Sequence, residues 1–203
     1  MILVVYFDVF HKDLEKRLTT YNIPFTLVKY ANLEQYKPTK PITKLIITGS
    51  KQRVLRKNHF PLLDAYLDLC TIKTPTKSAV SRREEQGGAD CAFQMRNRVK
   101  QDIHIIGICF GFQLLAYNTG GKVVEGPLFR GTRPTARSTD KSLREHLYFN
   151  HHDRVIELPN TWTVVQRIDG FINIAATDKW IGFQFHPEKD DAAFRHYMLP
   201  FLV

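Results

Sequence analysis

The sequence predicts an α/β fold: a doubly wound, mostly parallel sheet carrying an antiparallel flap. Three observations carry that expectation. Short apolar strands alternate with helical patterns through the first part of the chain. After residue 121 short alternating strands follow one another directly. Between these regions an apolar run, Ile103 to Ile106, leads into a corner bracketed by glycines, Gly107-Ile108-Cys109-Phe110-Gly111-Phe112-Gln113, which opens a helix.

Taken in order, residues 2–7 read as the first strand and 12–21 as a helix, followed by strands at 25–29 and 44–48. A helical pattern over 61–69 has Pro61 in its first turn, where the missing N–H costs nothing. Residues 103–108 form the next strand, and the corner helix runs over about 112–118 until Gly120-Gly121 ends it. Strands near 122–125, 154–157, 162–167, 171–176 and 181–185 make the antiparallel flap set beside the main sheet, and a helix over about 190–198 closes the chain. Residues 71–90 show no apolar periodicity, many charges and a Gly pair, so a surface insertion is expected at about 71–101, with a short helix at 91–100. It is either a lid or docking arm, or a tolerated excursion. There is no internal repeat, and residues 1–203 are expected to form a single domain.

Composition bounds the class. With 203 residues, 43% of them hydrophobic, the chain can bury one substantial core. The net charge of +9 comes from 29 Lys and Arg against 20 Asp and Glu. Its densest patches are Arg130-Gly131-Thr132-Arg133-Pro134-Thr135-Ala136-Arg137 and Arg82-Arg83. These lack interleaved exposed aromatics or a nucleic-acid module, so they read as a solvated face or as a dock for an acidic partner, and no nucleic acid is expected. The apolar N-terminal run is too short for a signal peptide and includes Asp8, and no later run could span a bilayer, so no membrane partner and a cytoplasmic location are expected. Three cysteines without regular spacing make no disulfide framework. Cys70 and Cys91 read as bystanders, and the absence of C-x-x-C or a His/Cys cluster leaves no metal site to assign.

Cys109 is the residue on which function turns. A strand that bends sharply into a helix holds its corner side chain in strained backbone geometry, the cysteine counterpart of a serine nucleophile elbow. A thiol at that corner faces the positive end of the helix that follows. The plain alternative is a small buried hydrophobe, but flanking glycines add nothing to a core strand. The partner lies near the C-terminus. Ile181-Gly182-Phe183-Gln184-Phe185 alternates like a strand, so His186 falls at a strand end, and Pro187 turns the backbone so that Glu188 can reach back to the imidazole. A carboxylate on one ring nitrogen sets the tautomer and leaves the other facing a thiol.

With these residues in view, the chain resembles the class I (triad-type) glutamine amidotransferases. Gly107-Ile108-Cys109-Phe110-Gly111-Phe112-Gln113-Leu114-Leu115-Ala116 is similar to that family's nucleophile motif and Gly182-Phe183-Gln184-Phe185-His186-Pro187-Glu188 to its base motif. Ile2 to Asp8 looks like the first strand of its flavodoxin-like fold, and Leu45-Ile46-Ile47-Thr48-Gly49-Ser50 like the strand leading to its S-G-G-P oxyanion turn. Phe149-Asn150-His151-His152-Asp153-Arg154-Val155 is similar to the M-S-H-G-D-x-V segment of the GMP synthase branch. The resemblance implies Cys109 as nucleophile, His186 as general base and acid, and Glu188 as the group that orients it. It implies oxyanion donors at Phe110 and at Gly49 or Ser50, and substrate contacts at Gln113, Asn150 and His151. The substrate so implied is L-glutamine, hydrolysed to glutamate and ammonia through a cysteine thioester. Read without the resemblance, Gln113 is a solvated helix residue and His151-His152 an exposed loop.

Two departures stand against the family pattern. Gly49-Ser50-Lys51 replaces Gly-Gly-Pro, and an oxyanion donor is worth about 3 kcal/mol, so weakened activity is expected if the side chain at position 50 misdirects its peptide. The stretch between Gly49 and Cys109 is also longer than the family needs. The chain ends at Val203, just after its last helix, and carries no phosphate-cradling G-x-x-x-x-G-K-[ST]. No cofactor is therefore expected in it; ATP and Mg would belong to a separate synthetase, most similar to that of GMP synthase, which takes the ammonia, with Asp153 near the shared interface. Three alternatives use the same scaffold: a stand-alone γ-glutamyl hydrolase or peptidase, a glutaminase subunit for anthranilate or aminodeoxychorismate synthesis, which residues 150–153 fit less well, and a non-catalytic binding protein.

Overall fold

The structure is a computed structural model that describes residues 1–55, 60, 103–135 and 145–203. The expected helices at 61–69 and 91–100, the insertion at about 71–101, Cys70, Cys91, Arg82, Arg83 and Arg137 lie outside the described residues.

The apolar runs form strands because their branched side chains are covered on both faces. β1 (Ile2–Tyr6), β2 (Phe25–Lys29), β3 (Lys44–Ile47) and β4 (His104–Ile108) are parallel, and β9 (Trp180–Phe183) joins them in the same direction beside β4. β8 (Phe171–Ala176) and β7 (Thr163–Ile168) extend the sheet antiparallel, in the order β2-β1-β3-β4-β9-β8-β7. Helix α1 (His11–Thr20) buries Leu14 and Leu18 against one face, with Ile46, Ile106 and Phe194 in the same cluster. Helix α2 (Phe110–Asn118) packs Phe112 and Leu115 into the cluster on the other.

The flap differs from expectation. Among the described residues only β5 (Lys122–Thr135) and β6 (Glu145–Glu157) form a separate antiparallel pair, longer than the sequence implied, whereas β7, β8 and β9 complete the main sheet. Alternation of side chains reports that one face is buried and says nothing about which strand is the neighbour. The closing helix is also broken up: three α-helical residues (Asp191–Ala193) run into a π-helical turn (Phe194–Met198) and a 3-10 turn (Leu199–Phe201), with Pro200 in the last of these.

The topology places chemistry at the carboxyl ends of the parallel strands, where open α/β sheets bind ligands. Asp8 follows β1, Gly49 follows β3, Cys109 follows β4 and His186 follows β9. Because β4 and β9 are adjacent and in register (Gly107 opposite Gly182, Ile108 opposite Phe183), the two corners after them are neighbours in space. A backbone bond from the Cys109 N–H to the Phe183 carbonyl, 2.6 Å, ties them together.

Candidate active site

Cys109 occupies the corner between β4 and α2 with φ 51° and ψ −104°, a backbone conformation that a side chain pays to adopt. The turn closes because nothing projects from Gly111: a Cβ there would lie 2.2 Å from the Ile47 carbonyl oxygen. The thiol is buried and directs its S–H toward the Asn150 carbonyl at 3.8 Å.

His186 is also buried. Its Nδ1 lies 2.8 Å from Glu188 Oε1, so the Pro187 turn brings the carboxylate back onto the ring as the sequence implied. Nε2 makes no hydrogen bond of ordinary geometry among the described residues. The Cys109 sulfur is nevertheless close enough to act on the ring's charge. Burial alone would pull the imidazole's pKa down, but the Glu188 and Cys109 charges outweigh it and raise the pKa to about 10. The Phe10 ring, edge-on at 4.7 Å, packs against the imidazole, with the Lys189 ammonium 4.7 Å from the centre of the Phe10 ring. Glu188 is positioned through its own backbone: Arg17 of α1 donates from Nε to the Glu188 carbonyl at 3.3 Å and from Nη1 to Asp191 at 2.7 Å.

The turn after β3 comes up beside both groups. A Cβ on Gly49 would sit 2.8 Å from His186 Cε1 and 3.7 Å from Cys109 Cβ. Among the described residues the N–H groups of Gly49, Ser50 and Phe110 have no backbone acceptor. The altered turn is held by side chains instead of a proline: Asp8 accepts from Ser50 Oγ at 3.3 Å and from the Lys51 N–H at 3.1 Å, and Ser50 Oγ accepts from the Gln52 N–H at 3.0 Å.

A cavity of about 250 Å³ opens beside Cys109 and is walled in part by Ser50, Arg53, Gln113, Asn150 and His151. Gln113 is buried, and its amide donates to the Asp153 carbonyl at 2.7 Å, so it is no solvated helix residue. His151 and His152 belong to β6 and not to a loop. The His151 ring lies among Phe129, Phe149 and Phe171 with neither nitrogen hydrogen-bonded among the described residues. Burial, helped by the charges of Arg154, His186 and His152 and opposed by the nearby polar backbone of Asp153, lowers its pKa to about 3. Asp153 is buried against Arg53 and lines the same cavity.

The arrangement therefore brings Cys109, His186, Glu188, Gly49, Ser50, Phe110, Gln113, Asn150 and His151 to one place. It also assembles residues that the motifs did not single out: Asp8, Phe10, Arg17 and Arg53. Only Asp8 had a signal in the sequence, its position just past the end of a parallel strand. Among the described residues no group of three or more His, Cys, Asp or Glu could hold a metal ion, and no helix is long and apolar enough to cross a membrane.

Such a corner thiol beside a carboxylate-backed imidazole, with free backbone N–H groups on both sides, can support acyl transfer. Comparison with known proteins points the same way. The sequence profile of the family described as glutamine amidotransferase class-I matches residues 79–202. A GMP synthase [glutamine-hydrolyzing] of Aquifex aeolicus is 33% identical over 107 residues, covering 48% of this chain and 21% of that protein. One from Clostridium tetani is 34% identical over 109 residues, with the same two shares. The match thus spans about a fifth of the length of these curated relatives. Among solved structures, a glutamine amidotransferase from Thermotoga maritima superposes with a TM-score of 0.58 at 16% identity, covering 98% of this chain and 82% of that one, a likeness of fold.

Proposed function

This chain belongs to the class I glutamine amidotransferases, and from that membership we propose that it hydrolyses L-glutamine to glutamate and ammonia through a thioester on Cys109. The Cys109 thiolate attacks the side-chain amide carbon, and the tetrahedral oxyanion is met by the N–H groups of Phe110 and of Gly49 or Ser50. His186, as imidazolium, gives its proton to the departing nitrogen, so that ammonia leaves as the C–N bond breaks. The neutral imidazole then takes a proton from water, whose oxygen attacks the thioester; the C–S bond breaks, the product acid gives its proton to solvent as glutamate, and the thiolate–imidazolium pair is restored. Glu188 holds the ring in place throughout. Gln113, Asn150 and His151 line the space in which the substrate sits.

The observation that carries this reading is the corner geometry of Cys109, at positive φ at the end of β4, beside an imidazole backed at 2.8 Å by Glu188. The ammonia acceptor in this reading is a separate synthetase of the GMP synthase kind, which would bring the ATP and Mg. Its support is the partial likeness to GMP synthases and the Asn150-His151-His152-Asp153 segment. A single amidotransferase domain over residues 1–203 and a cytoplasmic location complete the proposal.

The test is glutamate release from L-glutamine by the purified chain, alone and with candidate synthetases, against Cys109→Ala. Cysteine-dependent release is expected, greater with the acceptor present. Release from γ-glutamyl peptides but not from glutamine would replace this reading with the peptidase. Glutamine binding without release under any condition would replace it with a binding protein.

A further inference from the structure

The altered turn after β3 carries an arginine into the cavity. Arg53 lines the same space as Cys109, and its side chain is only 12% exposed. Carboxylates hold it on two sides: Nε lies 2.9 Å from Asp153 Oδ1, Nη2 bonds the same oxygen, and Nη1 lies 2.7 Å from Glu125 Oε1. A guanidinium has five N–H donors, and these contacts use three. The pair is also incomplete on the other side. Asp153 Oδ2 is buried and has no hydrogen-bond partner among the described residues. A rigid, charged fork with spare donors beside an unpaired carboxylate oxygen suits a small ligand that carries a carboxylate and an N–H donor close together.

We propose that Arg53 binds the α-carboxylate of the glutamine substrate and thereby makes the site selective for acyl donors with a free α-carboxylate. This rests on the reading that glutamine occupies the cavity beside Cys109. Arg53 lies on the turn that also carries Gly49 and Ser50, between the Asp8 contacts at one end and the Asp153 contact at the other. Binding at the head of the substrate and aim of the oxyanion donors are therefore mechanically joined, in a chain whose turn lacks the family's second glycine and proline. Lys51, which also lines the cavity, adds positive charge on the same turn.

The experiment measures binding of L-glutamine and of L-glutamine α-amide, in which the carboxylate is neutralised, to the full chain carrying Cys109→Ala, by calorimetry. Each ligand is compared with and without Arg53→Met, and melting curves establish that each variant is folded. Loss of a charge-assisted pair predicts that Arg53→Met weakens glutamine roughly ten- to a hundredfold while changing the α-amide by less than about threefold. Arg53→Lys keeps the charge, loses the fork and falls in between; it serves as the second variant should Arg53→Met not fold. Equal weakening of both ligands would reduce Arg53 to a support for the turn and overturn the proposal, as would no weakening, or no binding of either ligand. Glutamate release by the Cys109-intact protein separates the two ideas. Arg53-dependent selectivity without hydrolysis removes the glutaminase reading and leaves this one standing. Hydrolysis whose KM for glutamine ignores Arg53 does the reverse.

Discussion

Replacing Gly49 by alanine perturbs the site by a single methyl group whose neighbours are known. The new Cβ would lie 2.8 Å from His186 Cε1 and at an ordinary 3.7 Å from Cys109 Cβ. Carbon atoms pack best at about 3.5–4.0 Å, so the imidazole must yield by about 1 Å. It has little freedom to do so: Nδ1 is bonded to Glu188 at 2.8 Å, the His186 N–H is bonded to the Tyr148 carbonyl at 2.8 Å, and Phe10 packs edge-on at 4.7 Å. The ring therefore moves relative to the sulfur, and a misplacement of about 1 Å costs about a hundredfold in kcat, or about 2.7 kcal/mol of transition-state stabilisation. Overpacking is expected to cost about 1–3 kcal/mol of stability, a fall in Tm of roughly 2–12 °C, so the protein remains folded. Steady-state glutamate release and a melting curve on the same preparation give both quantities. A folded Gly49→Ala protein with kcat within about twofold of the unmodified chain would refute the placement of the β3 turn against His186.

Other sites predict separable effects. Gly182→Ala brings a Cβ to within 1.9 Å of Phe112 Cδ2, so it is expected to cost the upper part of the roughly 1–3 kcal/mol range for overpacking, read from denaturant midpoints. Gln113→Leu strips the Asp153 carbonyl of its donor and is expected to cost about 1–3 kcal/mol by the same measurement. The two buried histidines bend the pH profile in opposite senses. His186 has a folded pKa raised to about 10, so its stabilisation is complete below the ordinary value of 6.5 and is lost as pH rises from there through about 10. His151 has a folded pKa lowered to about 3, so its contribution is complete above 6.5 and is lost as pH falls toward 3. Stability is thus expected to decline on both sides of neutrality. Imidazole NMR should find His186 protonated well above pH 7, with its midpoint lowered in Cys109→Ala; a His186 midpoint near 6.5 in the unmodified chain would contradict the pairing. Arg17→Met frees the Glu188 carbonyl, and kcat is expected to fall several-fold with KM nearly unchanged.

Much of this architecture was legible because it is local. Strands β1 to β4 announce themselves as apolar runs between turn signals, and their observed limits differ from the sequence-based ones by one residue or none. The helix around Leu14 and Leu18 follows from its period. The flap was the exception: β7, β8 and β9 alternate as flap strands do, and their membership of the main sheet depends on backbone partners far along the chain. The burial of Gln113 was not legible for a related reason. Polar residues are normally exposed, and only the docking of β6 beside α2 gives the Gln113 amide a buried carbonyl to bond.

By itself the sequence determined which side chains could do chemistry: a cysteine at a glycine-bracketed strand-to-helix corner, and a histidine with a carboxylate two residues on, both features that a short stretch of backbone enforces. Only the tertiary structure decided that β4 and β9 are neighbours in register, that the β3 turn rises against His186, and that Arg53 meets Asp153 100 residues away. Those outcomes come from long-range strand pairing and the burial of charge against charge. Their energies depend on who the neighbour is, and no short segment carries that information.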